Sequence, residues 1–345
     1  MTKSVTPTRP LCDEQPRKAL PQLSLASAWR EYHAFLFESI DPRRTAFFRI
    51  AFSVLMLLMV LPWLPFVADY FSDAGRFPLT ASRQCYDEDT LTIFQFLPNT
   101  PPVASTCYAL LLTHILFLGV GFFSRFQAAA VFFWLCSFQH RNPLIWDGED
   151  TVFRLFAFFL ALTPCGCAWS IDAFFQRRKQ GVPPALSPRK AWAFRLIQIE
   201  TTLIYLSTVL CKLNGTAWLD GTALYYVSRL DDVFGKFYFP EWLLFNLPAI
   251  RLMTWSVVAA ELFIPIGVWF KETRRMAILT ALGLHLGIEW TMHLNFFEWI
   301  MALGVLSFAN NSDVLWARRL LCRWGQAFGW AWKGRYPSRQ GDLAG

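Results

Sequence analysis

An almost unbroken series of apolar segments runs from residue 45 to residue 309, and it limits the possible folds more than any other feature. A membrane-spanning helix needs about 20 mostly apolar residues, with a usual range of roughly 17–25. Eight stretches fit this description: about 45–66, 103–123, 126–140, 150–172, 188–211, 250–270, 274–291 and 295–309. Only a polar stretch around His293 and Asn295 separates the last two, so a single bent helix is the alternative there. Trp242 to Leu247 is too short to span and reads as a re-entrant or interfacial segment. Lipid offers the backbone no hydrogen-bond partners, so spans of this kind are helical. The expected fold is therefore all-α, a polytopic helical membrane bundle of about eight transmembrane helices.

Charge sets the expected orientation. Lys and Arg accumulate in cytoplasmic segments. Here they gather in residues 1–49, between spans four and five (Arg177, Arg178, Lys179, Arg189, Lys190), in KETRR at 271–275, and after span eight. The alternate loops are poorer in positive charge, and several are acidic: Asp69, Asp73, Asp87, Glu88 and Asp89 in one, Asp147, Glu149 and Asp150 in another. An even number of spans with both termini in the cytoplasm satisfies every loop. The formal charge of +7 is then explained by orientation and anionic lipid, and it calls for no nucleic acid. The sequence is 17% charged, against about 25% in an average soluble domain, and it carries 34 Phe and 16 Trp.

Four regions follow. Residues 1–26 lack the apolar core of a signal peptide and read as disordered. Residues 27–44 place Trp29, Tyr32, Leu36 and Ile40 at helical spacing, as in an interfacial amphipathic helix. Residues 45–310 form the membrane domain, and residues 311–345 a basic cytoplasmic tail. The eight cysteines show no zinc-site spacing, and Cys165 and Cys167 read as packing residues. A Cys85–Cys107 disulfide is open if the outer face is oxidising.

Ionisable side chains within spans are costly and usually face the bundle interior. Arg154, Arg195, Glu200, Glu261, His285, Glu289 and Glu298 are of this kind. Arg195 and Glu261 are a candidate ion pair. His285 and Glu289 are four apart and share a helix face, as a proton relay or a simple polar contact. On the outer side, HRNPLIWDGED (140–150) and KLNGTAWLDGTALYYVSRLDD (212–232) combine charge, Gly turns and Trp. Trp146, Asp147, Glu149, Asp150, Trp218 and Arg229 are the candidate substrate-binding residues there. Lys212 stands at the exit of span five, where it either snorkels to water or, desolvated, acts as a base. No metal site is expected; packing is the commoner role for His114, His285 and His293.

Three stretches carry a family resemblance. They are WDGEDTVFRLFAFFLALTPCGCAWSID (146–172), YLSTVLCKLNGTAWLDGTAL (205–224), and the pair AAELFIP (259–265) with LHLGIEWTMHLNFFEW (284–299). With TAFFRIAF (45–52), their order resembles the HTTM family, bacterial relatives of the transmembrane domain of vitamin K-dependent γ-glutamyl carboxylase. The resemblance implies a lyase-like chemistry. In the carboxylase a lysine of the Lys-Leu stretch deprotonates vitamin K hydroquinone, and oxygen then generates the strong base that precedes carboxylation. The matching residue is Lys212. The carboxylase also uses a histidine after its matching tryptophan, where this sequence has Asp147-Gly148-Glu149-Asp150. The chain ends at 345, and no large lumenal substrate-binding domain is expected.

Three functions follow as expectations. One is an enzyme acting on a quinol or other lipid-soluble substrate, with Lys212, Glu261 and His285 as catalytic residues in one outward-facing pocket. Another is an accessory protein for maturation or export of a secreted peptide. The third is a transporter or lipid-binding protein; no inverted repeat supports it. The partner in every case is the lipid bilayer, and the expected location is the bacterial inner membrane.

Overall fold

The computed structural model describes residues 25–85, 90–180, 189–190, 192–230, 235 and 238–327. The expected disorder of residues 1–26 lies almost entirely outside these residues, as does the end of the basic tail. Within them the fold is helical apart from a two-residue antiparallel pairing of Ser39–Ile40 with Arg189–Lys190. The principal helices are α1 (Leu25–Phe37), α2 (Pro42–Val60), α3 (Pro101–Val120), α4 (Ser124–Arg141), α5 (Gly148–Leu162) and α6 (Ile171–Gln180). They continue with α7 (Trp192–Leu213), α8 (Leu247–Gly267), α9 (Arg274–Thr291), α10 (Phe297–Leu306) and α11 (Asn311–Ala327).

Four helical segments are long and apolar enough to cross a membrane: Pro42–Phe71, Pro101–Val120, Trp192–Leu213 and Leu247–Gly267. Their outward positions carry a wide apolar belt, including Leu58, Leu110, Phe117, Leu203, Leu252 and Leu262. In water such a surface would aggregate; in lipid it is the solvated face. The chain is thus an integral membrane protein. The helices α4, α5, α9 and α10 occupy the other expected positions and are shorter or more polar. They carry the buried Gln127, Gln139, Glu149, His285 and Glu298. Helices α9 and α10 are separate, divided by a turn in which Asn295 takes φ +30°.

Successive long helices run up and down. Pairs α2–α3, α3–α4 and α4–α5 pack side by side, as do α7–α8 and α8–α9. The short α10 touches α2, α5, α7 and α9, and so stands between the two groups. Gly304 of α10 makes this possible, since a Cβ there would meet Thr201 Oγ1 at 2.7 Å and Phe156 at 3.2 Å. Buried rings fill the first group: Phe48 lies edge-on to Phe156 and Phe194, with ring centroids at 5.5 and 5.6 Å.

Two expectations about this region need correction. Span four does not run to residue 172, because α5 ends at Leu162. Pro164 and Gly166 follow; proline lacks the N–H that the next helical turn requires. The freed backbone is bound by Arg49, whose Nη1 donates to Cys165 O at 2.8 Å and whose Nη2 donates to Trp169 O at 2.6 Å. Arg49 is fully buried. Second, Cys85 and Cys107 are free thiols: Cys85 is exposed and Cys107 is buried on α3, so they form no disulfide.

One end of the bundle collects the amphipathic helices α1, α6 and α11. Asp41 caps α2 and accepts from Asn311 Nδ2 at 3.0 Å. Asp172 of α6 accepts from the backbone N–H of Phe123 at 2.9 Å. Trp29, Phe174, Phe175, Leu315 and Leu321 are exposed on these helices, beside Arg177, Arg178, Lys179 and Arg319. At the opposite end, Glu241–Leu244 forms a short helix with Trp242 and Phe245 strongly exposed, in the segment expected to be interfacial.

Candidate active site

Helix α7 carries two polar side chains seven residues apart, Tyr205 and Lys212. Two helical turns separate them, so they project from one face. That face meets α8, and the Lys212 ammonium is bound by both carboxylate oxygens of Glu261. The side chains are 18% and 8% exposed, so most of this pair is withdrawn from solvent. The Lys212 nitrogen also lies 4.8 Å from the centre of the Trp218 ring, a cation–π contact from the loop that follows. That loop is folded back on α8. Trp255 Nε1 donates to Leu219 O at 3.3 Å, and Gly221 (φ +81°) packs on Arg251 where a Cβ would come within 3.0 Å of its Cα. Asp220 accepts from both the hydroxyl and the N–H of Thr222, which holds its carboxyl below the usual range.

Glu261 therefore pairs with Lys212 and not with Arg195. Arg195 lies at the opposite end of α7, where it donates to Glu38 Oε2 at 2.7 Å and stacks on Phe35 at 4.5 Å. The way α7 packs against α8 brings the end of α7, not its start, to Glu261.

One level deeper, Tyr205 Oη is hydrogen-bonded to His285 Nε2, and His285 Nδ1 to Glu298 Oε2. All three are buried. A carboxylate only accepts, so Nδ1 carries the proton and Nε2 accepts from the tyrosine hydroxyl. His285 thus spends both nitrogens on Tyr205 and Glu298, and the expected partnership with Glu289 on its own helix is not the one formed. Tyr205 is not among the candidate site residues expected from the sequence. The available signal was its heptad spacing from Lys212 on an otherwise apolar helix.

The acidic loop residues assemble elsewhere. Trp146, Asp147, Glu149 and Asp150 line a cavity of about 450 Å³ among α2, α3, α4 and α5. Its other wall is apolar, with Met56, Met59, Trp63, Tyr108 and Phe138. Asp147 and Asp150 form a capping box at the start of α5, each accepting from the other's backbone N–H. Asn295 Nδ2 donates to Asp147 at 3.2 Å, so the α9–α10 turn joins this cavity to the helix that carries Glu298. Arg229 belongs to neither group: it is exposed and stacks on Tyr225 at 3.8 Å. Two clusters replace the single pocket expected from the loops. Lys212, Glu261 and Trp218 form the first, backed by Tyr205, His285 and Glu298; Trp146, Asp147, Glu149 and Asp150 form the second.

Among the described residues, no group of three His, Cys, Asp or Glu is placed to hold a metal ion. His114 Nδ1 is instead bonded to Gln127 Oε1 at 2.6 Å.

No solved structure matches this chain. The model of the HTTM domain matches residues 37–312, which include every helix from α2 to α10 and both clusters. The protein belongs to the HTTM domain family.

Proposed function

We propose that this HTTM protein is a membrane enzyme that acts on a quinol or similar lipid-soluble substrate, with Lys212 as its base. The observation that carries the reading is the Lys212–Glu261 pair under Trp218, at the helix end away from the basic amphipathic helices. A lysine, a carboxylate and a flat indole suit an aromatic diol: the ring stacks, the Lys212 ammonium gives one proton to Glu261, and the free amine then takes the hydroxyl proton. Glu261 holds the amine in place, and the surrounding apolar Leu210 and Leu213 give access from lipid. Tyr205, His285 and Glu298, hydrogen-bonded to one another one level deeper, back the pair. The quinolate left behind is oxidised by oxygen, the co-substrate. The products are quinone with hydrogen peroxide, or epoxide with water; either pair balances one quinol and one oxygen molecule.

The topology that goes with this reading has eight spans, with both termini in the cytoplasm of a bacterial cell and Lys212 on the outer side. The even number of alternating helices and the clustering of Arg and Lys at one end support it. Carboxylase-like chemistry on a secreted peptide would use the strong base formed during epoxidation.

The test is quinol oxidation by purified protein in nanodiscs, first anaerobic and then with oxygen, for wild type and Lys212→Ala. Oxygen-dependent turnover that Lys212→Ala abolishes while the variant remains folded supports the enzyme. Absence of turnover in wild type over several quinols rejects it in favour of an accessory role in peptide maturation or export.

A further inference from the structure

The acidic cavity has a ligand logic of its own, independent of any chemistry at Lys212. Its wall contains three carboxylates, Asp147, Glu149 and Asp150, and no lysine or arginine. Asp147 and Asp150 are occupied as helix caps. Glu149 is not part of that box, and it is 4% exposed. Asn295, which lines the same cavity, gives its Nδ2 to Asp147. The Arg154 guanidinium lies 5.4 Å from the centre of the Trp146 ring.

A second observation comes from Gln139, which is 4% exposed and lines the same cavity. Its Nε2 donates to Asp150 O at 3.0 Å, and this fixes which end of the amide is nitrogen. Its Oε1 is then a buried acceptor with no partner among the described residues. An orphaned buried acceptor is costly, and it marks where a donor belongs.

The head group that fits must donate and must not be negative. A carboxylate or phosphate would meet three carboxylates. A hydroxyl has one proton and could satisfy Gln139 or Glu149, but not both. A primary ammonium has three N–H donors and a compensating charge. Beyond the polar end, Met56, Met59, Trp63 and Phe138 make an apolar trough, with flexible thioethers that adapt to a chain. The volume is within the usual range for small-molecule sites.

We propose that this cavity binds a long-chain primary amine, its ammonium between Gln139 Oε1 and Glu149 and its chain along Met56, Met59 and Trp63.

The test is saturable binding of tritiated dodecylamine to the full-length protein in zwitterionic nanodiscs, read by scintillation proximity with unlabelled competitors. Dodecylamine is expected to compete about tenfold better than dodecanol, as charge-assisted hydrogen bonds require. Dodecyltrimethylammonium, which has charge but no N–H, and dodecanoate should both compete worse than dodecylamine. The isosteric Glu149→Gln and the apolar Gln139→Leu should each weaken binding about tenfold. Met59→Trp, which fills the trough, should abolish saturable binding and serves if Gln139→Leu does not fold. Equal competition by dodecanol, or binding unchanged in Glu149→Gln, would overturn the proposal.

Discussion

Lys212 and Glu261 face one another across the α7–α8 interface, with the ammonium held by both carboxylate oxygens and covered by the Trp218 ring. Removing one member of a largely buried pair leaves the other charge uncompensated, whereas removing both leaves none. Lys212→Ala should therefore destabilise the protein by about 3 kcal/mol or more, and Lys212→Ala with Glu261→Gln by less. Reversible unfolding of the two single variants and the double variant measures the coupling. Additive effects would show that the two side chains do not act as a unit.

Arg49 donates to three carbonyls, those of Cys165, Trp169 and Gly119, from wholly within the bundle. Arg49→Ala would free these carbonyls where water is scarce and empty a large buried volume. A loss of at least about 3 kcal/mol is expected, with Arg49→Lys recovering only part because ammonium cannot reproduce the planar fork. Gly121 should be equally intolerant: it has φ +75°, and a Cβ there would lie 2.7 Å from Arg49 Nη1. Thermal melts of Arg49→Lys and Gly121→Ala check both statements.

His285 is fixed from both sides by Tyr205 and Glu298. Nitrogen-15 spectra of histidine-labelled protein should show the Nδ1–H tautomer for one buried ring. Glu298→Gln should alter that tautomer balance. Tyr205→Phe should leave Nε2 without a donor and cost about 1–3 kcal/mol. An Nε2–H tautomer in wild type would refute the assigned direction of the chain.

Asp41 provides a pH test outside the membrane-spanning region. Its hydrogen bonds with the Arg43 side chain, then with Asn311 and the Arg43 N–H, hold the carboxyl well below the ordinary range. A carboxyl lowered by folding contributes stability that is fully present above its unfolded value of about 4, and that is lost as pH falls towards its folded value. Asp41→Asn keeps a good helix cap but not the charge. Wild type should thus melt higher than Asp41→Asn at pH 7, and the difference should shrink below about pH 4.

The proposed orientation is checked by labelling a cysteine-free version in whole cells. Asp220→Cys, near Lys212, should react with an impermeant maleimide in intact cells. Ser312→Cys, beside the basic helices, should react only after permeabilisation.

Much of this molecule could be read along the chain, because lipid imposes a strong local rule: a run of apolar residues must be a helix. The apolar runs located α2, α3, α7 and α8, and the breaks at Gly121 and around Asn295 divide neighbouring helices as expected. Lys212, Glu261 and His285 stood out because a charge in an apolar run is conspicuous. Which of them meet depended on the packing of helices far apart in sequence. The offset at which α7 and α8 pack decided that Lys212, not Arg195, meets Glu261. The insertion of the short α10 between two groups of helices decided that His285 faces Tyr205 and Glu298. Spacing along one helix records which residues share a face, but not which face another helix will cover. For the same reason the loop at 146–150 and the loop that carries Trp218, similar in composition, were placed by the tertiary structure in two different clusters.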